Sequence, residues 1–562
     1  MQSLNNLIQK ECEKMDYKFL GKKISGRFTI PSGIVATNQK IILKIANDIP
    51  QIGVITTKSI GLEEKKGNRE PIITQYAPGC FVNAVGLTNP GAKEFAKQLS
   101  EIKPKIPKER FLLISIFGAN AKEFVEVAKI LEPYADGFEL NLSCPHAKGY
   151  GMAIGQDPEM VKEIVGAVKS AVKVPVIPKL TPNTDRIGEI AKKAVEAGAD
   201  AISAINTVGP GYFTFDGIPI LTNKKGGMSG KGILPIGLKC IKEISDAVKV
   251  PIIGCGGINS AQDTKEYEKA GASIFGVGSA LAGMNSEEIK KYFKQLEKDM
   301  EKNTPSTEKM LKKINMGFRK FRLVENQRLA DDLAVLTLDK PIEIKPGQFI
   351  FAWVPESGEK PFSALDNNPL KLLIQKKGCL SEKLLNMKKG EEIFARGPYG
   401  NGIQTKKDEK VIIVGGGCGI AALYQLAKEI NSKETEVFFG ARDKNHLFYI
   451  EELKKCSKVW ISTNDGSEGE KGFVSQILQK RLNEIEKENK TNKEKIIFFN
   501  CGPEPMIDAV LPIEEKFVKK ENIYCAIDYV TKCGVGICGS CASKSGKRIC
   551  VDGPFLNRTE VE

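Results

Sequence analysis

The sequence predicts a multidomain α/β protein: a (β/α)8 TIM barrel, then an antiparallel β-barrel, a Rossmann-like α/β domain and a small cysteine-rich domain. Three observations carry this. Apolar strands alternate with amphipathic helices from about Phe111 to Gly283. From Gly317 the texture changes to short β-type runs separated by turns. Strand–turn–helix patterning then returns, followed by Cys533, Cys538, Cys541 and Cys550 in the spacing C-x4-C-x2-C-x8-C.

In the first region FLLISIF (111–117), GFELNLS (137–143), VPVIPKL (174–180), ADAISAIN (199–206), VPIIGCGG (250–257) and ASIFGVGS (272–279) read as buried strands. Their apolar runs are continuous, as a parallel sheet covered on both faces requires. Between them, 158–172, 184–198 and 234–248 have helical periodicity. Repeated βα units of this length suggest the eightfold barrel, and Asn141, Lys179 and Asn206 stand at strand C-termini, its functional face. EKNTPSTEK (301–309), polar and carrying Pro305, reads as a linker. DLAVLTL, GQFIFAWV, LKLLIQ and EEIFARG are expected strands of the antiparallel barrel. EKVIIVGGGCGIAALYQLAKEI (409–430) is a strand, a glycine turn and a helix, and TEVFFGA, KVWIST and KIIFFNCG add strands of a nucleotide-binding domain. The charged stretch 481–495 is expected to be solvated. The expected divisions are 1–300 for the first barrel, 301–315 for the linker, 316–404 for the second barrel, 405–518 for the α/β domain and 519–562 for the cysteine-rich domain.

Bulk properties narrow the function. The 562 residues suit about three or four domains, and the 41% apolar and 27% charged fractions are those of a soluble globular protein. No apolar run reaches the roughly 18 residues of a membrane span. MQSLNNLIQKECEK has neither the apolar core nor the cleavage site of a signal peptide, so the expected location is cytoplasmic. The net charge of +14 comes mostly from dispersed lysines without interleaved aromatics. That pattern argues against nucleic acid and suits a solvated surface that attracts anionic ligands. With only two histidines, His146 and His446, a His-based triad or multi-histidine metal site is nearly excluded.

The four spaced cysteines have the thiolate pattern of a plant-type [2Fe–2S] site. A zinc ribbon would instead pair two distant C-x2-C units. Gly534, Gly536 and Gly539 let the backbone wrap closely around sulfides. Such a cluster moves one electron at a time, so a redox partner is expected on each side. On one side GGGCG (415–419) opens a helix, where backbone N–H groups can cradle a pyrophosphate. On the other, Asn83, Asn89, Asn141, Asn206 and Thr207 surround Cys144 and Lys179 at strand ends. Amide side chains present both a donor and an acceptor, which suits a flat heterocycle with amide-like edges. Taken singly, a strand-end cysteine is often a packed small hydrophobe, and it is the joint placement that points to chemistry. GCGGI (254–258) and VGSAL (277–281) occupy late loops, where such barrels build phosphate sites.

Residues 315–562, with KPFSAL (360–365), GCLSEKL (378–384), ARGPYGNG (395–402), CGPEPM (501–506) and the cysteine segment, resemble the ferredoxin–NADP reductase superfamily. More narrowly they resemble the electron-transfer subunit of type 1B dihydroorotate dehydrogenases. The resemblance implies FAD contacts at Lys360, Pro361, Ser363, Gly378 and Ser381, with Lys360 standing where the family has arginine. It implies nicotinamide-nucleotide contacts at Gly415, Gly416, Gly417, Asp465, Cys501, Gly502 and Pro503, and [2Fe–2S] ligation by Cys533, Cys538, Cys541 and Cys550. Arg442 could accept a 2′-phosphate, which leaves NAD and NADP both open.

Residues 20–300, through FELNLSCPHAKGYG, IPKLTPN, AINTVG and TTKS, resemble the catalytic subunit of type 1 dihydroorotate dehydrogenases. They are also similar to the pyrimidine domain of dihydropyrimidine dehydrogenase. Carried over, Cys144 is the catalytic base and Lys179 approaches the flavin of FMN. Lys58, Asn83, Asn141, Asn206 and Thr207 hold the pyrimidine, and Ser59, Gly227, Gly256, Gly257, Gly278 and Ser279 contact FMN. The implied reaction is oxidation of (S)-dihydroorotate to orotate, with electrons passing from FMN through [2Fe–2S] and FAD to NAD+, in a homodimer formed through the barrel.

One position departs from this pattern. His146 stands where dihydroorotate dehydrogenases have asparagine, and C-P-H is the dihydropyrimidine dehydrogenase form. A uracil or thymine reductase, and an NAD(P)H-linked electron-delivery flavoprotein, therefore remain alternatives. The resemblance also makes a spatial demand: Cys533 to Cys550 must fold back between the two flavins.

Overall fold

A computed structural model describes residues 17–142, 152–302, 304–488, 493–527 and 530–561. Cys144 and His146 lie outside the described residues. Among those described, no helix is long and apolar enough to cross a membrane.

The first unit is the expected barrel. Its strands are β1 (Phe28–Thr29), β2 (Val54–Thr56), β3 (Phe111–Ile116), β4 (Gly137–Asn141), β5 (Val176–Leu180), β6 (Ile202–Ala204), β7 (Ile252–Cys255) and β8 (Ile274–Gly276). All neighbours run parallel, and the Phe28–Ile52 bridge closes β1 onto β2. The outer helices begin where their sequences supply caps. Asn38 and Asn120 accept from the amides of Ile41 and Glu123. Asp157 caps helix 158–171 just before Pro158, whose missing N–H costs nothing in a first turn. Ser260 and Asp263 form a reciprocal capping box, and that helix stops at Gly271 in a left-handed conformation. Helix 158–171 turns Val161, Ile164, Val165 and Val168 inward, the i, i+3, i+4, i+7 stripe expected of a helix on a sheet.

Period-two alternation sorts the barrel interior into layers. At the N-terminal end Val54, Phe111, Leu113, Ile177, Ala201, Ile253 and Ile274 fill the barrel. The hairpin Tyr17–Phe19/Lys22–Ile24 plugs that end with Phe19 and Ile24. Two residues further along each strand, the inward positions become Ser115, Glu139, Lys179 and Ser203, all buried and polar. The barrel therefore has an apolar floor and a polar upper storey. Above it lies a four-stranded antiparallel sheet of 73–77, 80–83, 208–212 and 225–230.

The second unit is a closed six-stranded antiparallel barrel, in the order 319–330, 333–338, 370–375, 358–367, 349–354, 392–399. Helix Cys379–Leu385 plugs it with Leu380, Leu384 and Leu385. Trp353 and Phe394 on its outer wall meet Phe215, Ile218 and Ile220, which extend from the first barrel. The third unit is a seven-stranded sheet whose strands order as 470–471, 458–463, 436–441, 410–416, 496–501, 523–526, 556–557. Only the last pair is antiparallel. The strand order reverses at 410–416, so the glycine turn sits at the crevice where such folds bind ligands.

Residues 481–488 differ from the solvated segment expected. They continue helix Val474–Glu488, with Leu482 and Ile485 buried in the core and Arg481 paired to Glu436 at 3.0 Å. The apolar stripe is real but hidden among charges on the other faces.

The hairpin plug gives a measurable expectation. Phe19→Ala removes a buried ring that packs edge-on to Phe111 at 5.2 Å between centroids. It should destabilise the barrel by about 3–5 kcal/mol, read as a lower denaturation midpoint for the barrel's own transition.

Candidate functional site

A cavity of about 210 Å³ opens at the C-terminal end of the first barrel. Its walls include Lys58, Ser59, Asn83, Asn141, Lys179, Asn206, Thr207, Gly256, Gly257, Gly278 and Ser279. Strand geometry explains the convergence: Asn141 ends β4 and Lys179 is next to last in β5, both on the inward alternation, and Asn206 lies just past the C-terminal end of β6. Cys144 lies outside the described residues.

The amides are held by a continuous network. Asn206 Nδ2 donates to Asn141 Oδ1 at 3.2 Å, and Asn141 Nδ2 donates to Ser59 Oγ at 2.9 Å. Ser59 also meets the hydroxyls of Ser32 and Ser115, each at 2.9 Å. The Asn206 carbonyl oxygen accepts from the Thr207 amide at 2.8 Å. Two expected positions sit behind the wall instead. Gly227 backs Thr207, and a Cβ there would lie 2.1 Å from the Thr207 hydroxyl; its carbonyl accepts from Asn83 Nδ2 at 3.3 Å. Asn89 braces the turns at Gly61 and Gly91 with its carbonyl oxygen and does not line the cavity.

Beneath the amides lies the polar storey. Glu139 accepts from Ser115 Oγ at 3.0 Å and Ser203 Oγ at 2.9 Å, and stands 3.6 Å from Lys179 Nζ. Burial works against the Lys179 ammonium, but Glu139 and Cys255 together outweigh it, and its pKa ends above the ordinary lysine value. Lys58 shifts the other way, because burial dominates over the nearby Cys538 thiol. Two lysines on one cavity are thus driven apart in acidity. Glu139 was not among the expected site residues, although a lone carboxylate in the apolar run GFELNLS is a visible signal.

The glycine side of the cavity has a backbone form that suits an anion. Gly256 and Gly257 adopt φ of +130° and +81°. A Cβ on Gly257 would come within 2.9 Å of the Gly230 carbonyl and the Leu234 amide, so only glycine lets the loop follow this wall. Apolar walls, edge amides, a cation and an exposed glycine backbone fit a flavin mononucleotide.

Cys538 and Ile537 line the same cavity. Cys533, Cys538, Cys541 and Cys550 are all buried within one loop system, with Cys541 and Cys550 Sγ atoms 3.4 Å apart. Gly534, Gly536 and Gly539 have φ of +81°, +73° and +65°. The Gly536 amide donates to Cys550 Sγ at 3.2 Å. Converging thiols wrapped by glycine backbone fit an iron–sulfur cluster. The loop is pinned to the first barrel by Val35 N to Ile537 O at 2.7 Å and Gly283 N to Val535 O at 2.8 Å. The buried Arg548 adds bonds to Gly536 O at 2.7 Å and Met284 O at 2.8 Å. Its opposite face rests on the second barrel, where Phe351 and Tyr399 pack against Gly534. The cysteine loop therefore folds back between the two barrels of the same chain.

On the second barrel, Lys360, Pro361 and Ser363 share strand 358–367. Lys360 pairs at 3.0 Å with Glu70 of the first barrel, which also lies 3.5 Å from Lys532. Gly378 and Ser381 form the start of helix 379–385, where Ser381 Oγ accepts from the Lys377 and Gly378 amides. In the third unit Gly415 to Gly417 and Cys501 to Pro503 are brought together. A Cβ on Gly416 would meet Met506 at 2.4 Å and Pro503 at 3.0 Å, so the two turns are in contact. Asp465 is held in the turn after strand 458–463 by the amide and hydroxyl of Ser467 at 2.9 and 2.7 Å. Arg442 at the next strand end is engaged by Asp332 at 2.8 Å and Asp443 at 3.5 Å.

The family profile "Dihydroorotate dehydrogenase" matches residues 14–300. "Oxidoreductase NAD-binding domain" matches 413–511, and "Iron-sulfur cluster binding domain of dihydroorotate dehydrogenase B" matches 530–562. Similar proteins include the "Dihydroorotate dehydrogenase B (NAD(+)), catalytic subunit" of Methanocaldococcus jannaschii, 45% identical over 254 residues, covering 45% of this chain and 82% of that protein. The protein of the same name from Pyrococcus horikoshii is 42% identical over 268 residues, covering 48% and 86%.

The Glu139–Lys179 pair predicts a stability pattern. Glu139→Ala strands a buried ammonium and should cost about 3–5 kcal/mol in chemical denaturation. The double change Glu139→Gln with Lys179→Met should cost clearly less. Because the Lys179 pKa is raised on folding, the pair's contribution is complete below about pH 10.4. It is lost as pH climbs through the higher folded value, and the double variant should lack that alkaline loss.

Proposed function

The chain belongs to the dihydroorotate dehydrogenase family, and we propose that it oxidises (S)-dihydroorotate to orotate, the redox step of pyrimidine synthesis, with NAD+ as terminal acceptor. The observation that carries this reading is that one cavity is lined by the amide set, by Lys179 and by Cys538. A pyrimidine oxidised there stands next to the one-electron exit. When bound, FMN supplies two-electron oxidation of the pyrimidine, [2Fe–2S] moves those electrons one at a time, and FAD returns them as a pair to NAD+.

The chain's own residues do the rest. Cys144, on the segment after β4, takes the C5 proton from dihydroorotate. Asn83, Asn141, Asn206 and Thr207 present donors and acceptors to the amide edges of the ring, with Gly227 supporting Asn83 and Thr207 from behind. Lys58 faces the substrate and flavin from the side nearest Cys538. Lys179, kept charged by Glu139, offsets negative charge that develops on the flavin ring. Ser59, Gly256, Gly257, Gly278 and Ser279 hold FMN, the two glycines and Ser279 on the phosphate side. Cys533, Cys538, Cys541 and Cys550 ligate the cluster.

Lys360, Pro361, Ser363, Gly378 and Ser381 hold FAD on the second barrel. Gly415, Gly416, Gly417, Asp465, Cys501, Gly502 and Pro503 form the NAD+ crevice. Arg442 is already offset by Asp332 and Asp443, which favours NAD+ over a nucleotide carrying a 2′-phosphate.

Anaerobic mixing with dihydroorotate should bleach the flavins and then produce NADH, with dihydrouracil far slower; faster turnover of dihydrouracil would reverse the substrate assignment. Cys144→Ser should slow dihydroorotate oxidation at least about 100-fold, the scale of a lost general base. It should leave NADH-dependent dye reduction unchanged. Orotate formation at the original rate in that variant would remove Cys144 from the base role.

A further inference from the structure

We propose that Arg396 is a positioning residue for the cluster ligand Cys533, and that the Arg396–Glu359 pair sets the reduction potential of the cluster. This rests on the reading of the four thiols as a [2Fe–2S] site.

Arg396 stands on strand 392–399 and Glu359 on strand 358–367 of the second barrel, and both side chains are fully buried. Arg396 Nε meets Glu359 Oε1 at 2.5 Å and Nη2 meets Oε2 at 2.8 Å, a two-pronged pair. The remaining prong, Nη1, donates to the Cys533 carbonyl oxygen and the Tyr399 hydroxyl, each at 3.0 Å. The guanidinium carbon lies 4.2 Å from the Phe351 ring centre and 5.2 Å from that of Tyr399. These are the rings that pack against Gly534. The cation is thus clamped between the barrel wall and the first cluster ligand, with its counter-charge on the far side.

Stability alone is a poor reason for such a pair. Burying two charges costs several kcal/mol per ion, and well-packed apolar residues of similar volume often serve as well or better. A charge next to an electron carrier has a direct effect. Reduction adds one negative charge to the cluster, and iron–sulfur potentials follow local charge, hydrogen bonding and burial. Arginine stays protonated in proteins, so Arg396 favours the reduced cluster, and Glu359, further away, partly cancels it. The peptide bond of Cys533 is held by the same contact that supplies the charge. The pair raises the cluster's affinity for an electron leaving the first barrel.

A redox titration of the full-length protein, followed by the electron paramagnetic resonance of the reduced cluster, tests this. Arg396→Gln should move the cluster midpoint to a more negative potential, and Glu359→Gln to a more positive one. Each should change the one-electron equilibrium about tenfold, equivalent to about 59 mV. A merely structural pair would shift neither midpoint or both in one direction, and either result overturns the proposal. If Arg396→Gln fails to fold, the shape-preserving Glu359→Gln decides alone, and anything but a positive shift sinks the idea. Absence of a [2Fe–2S] signal in the unaltered protein would instead overturn the cluster reading, and the proposal with it.

Discussion

The loop from Cys533 to Cys550 is a wedge between two barrels, and its backbone is bonded to both. On one side its carbonyls accept from Val35 and Gly283 of the first barrel. On the other, Cys533 accepts from Arg396 of the second. In each case the acceptor is a peptide carbonyl of the loop, so the backbone that carries the thiols is held by amides of the first barrel and by the Arg396 side chain of the second. The consequence is geometric. Any rotation of one barrel against the other must break several buried bonds, each of which leaves a polar group without water.

The first barrel solves a related problem inside itself. A parallel eight-stranded barrel is normally filled by apolar layers. Here the lower layer is apolar and the next is Ser115, Glu139, Lys179 and Ser203, which satisfy one another. That storey supports the amides above it through Ser59. The network is continuous from the barrel interior to the cavity wall, so the orientation of each amide is set by the residue below it. Polar residues are affordable at this depth because none of the four lacks a partner.

Much of this was legible in the sequence, and the part that was not has identifiable causes. The strands that carry Asn141 and Lys179 announced themselves as continuous apolar runs, and the thiol spacing marked the segment that an iron–sulfur domain profile matches. β1 and β2 are only two and three residues long, too short for any periodic pattern to rise above chance. Leu482 and Ile485 were masked by the charges around them on helix 474–488. Gly227, expected among the contacts of the flavin, packs against Thr207 and accepts from Asn83, contacts made across strands that no local pattern shows. Pairs such as Lys360–Glu70 and Arg396–Cys533 join residues far apart in the chain, and no local pattern records them.

The wedge also has a consequence in time. During synthesis the residues that carry the thiols leave the ribosome after both barrels. Until then Val35, Thr37 and Gly283 on one barrel and Phe351 and Tyr399 on the other have no loop to cover them. A nascent chain therefore carries two open, partly apolar docking faces while the α/β domain is still being made. The thiols therefore reach their buried positions in the same step that seats the wedge between the two barrels.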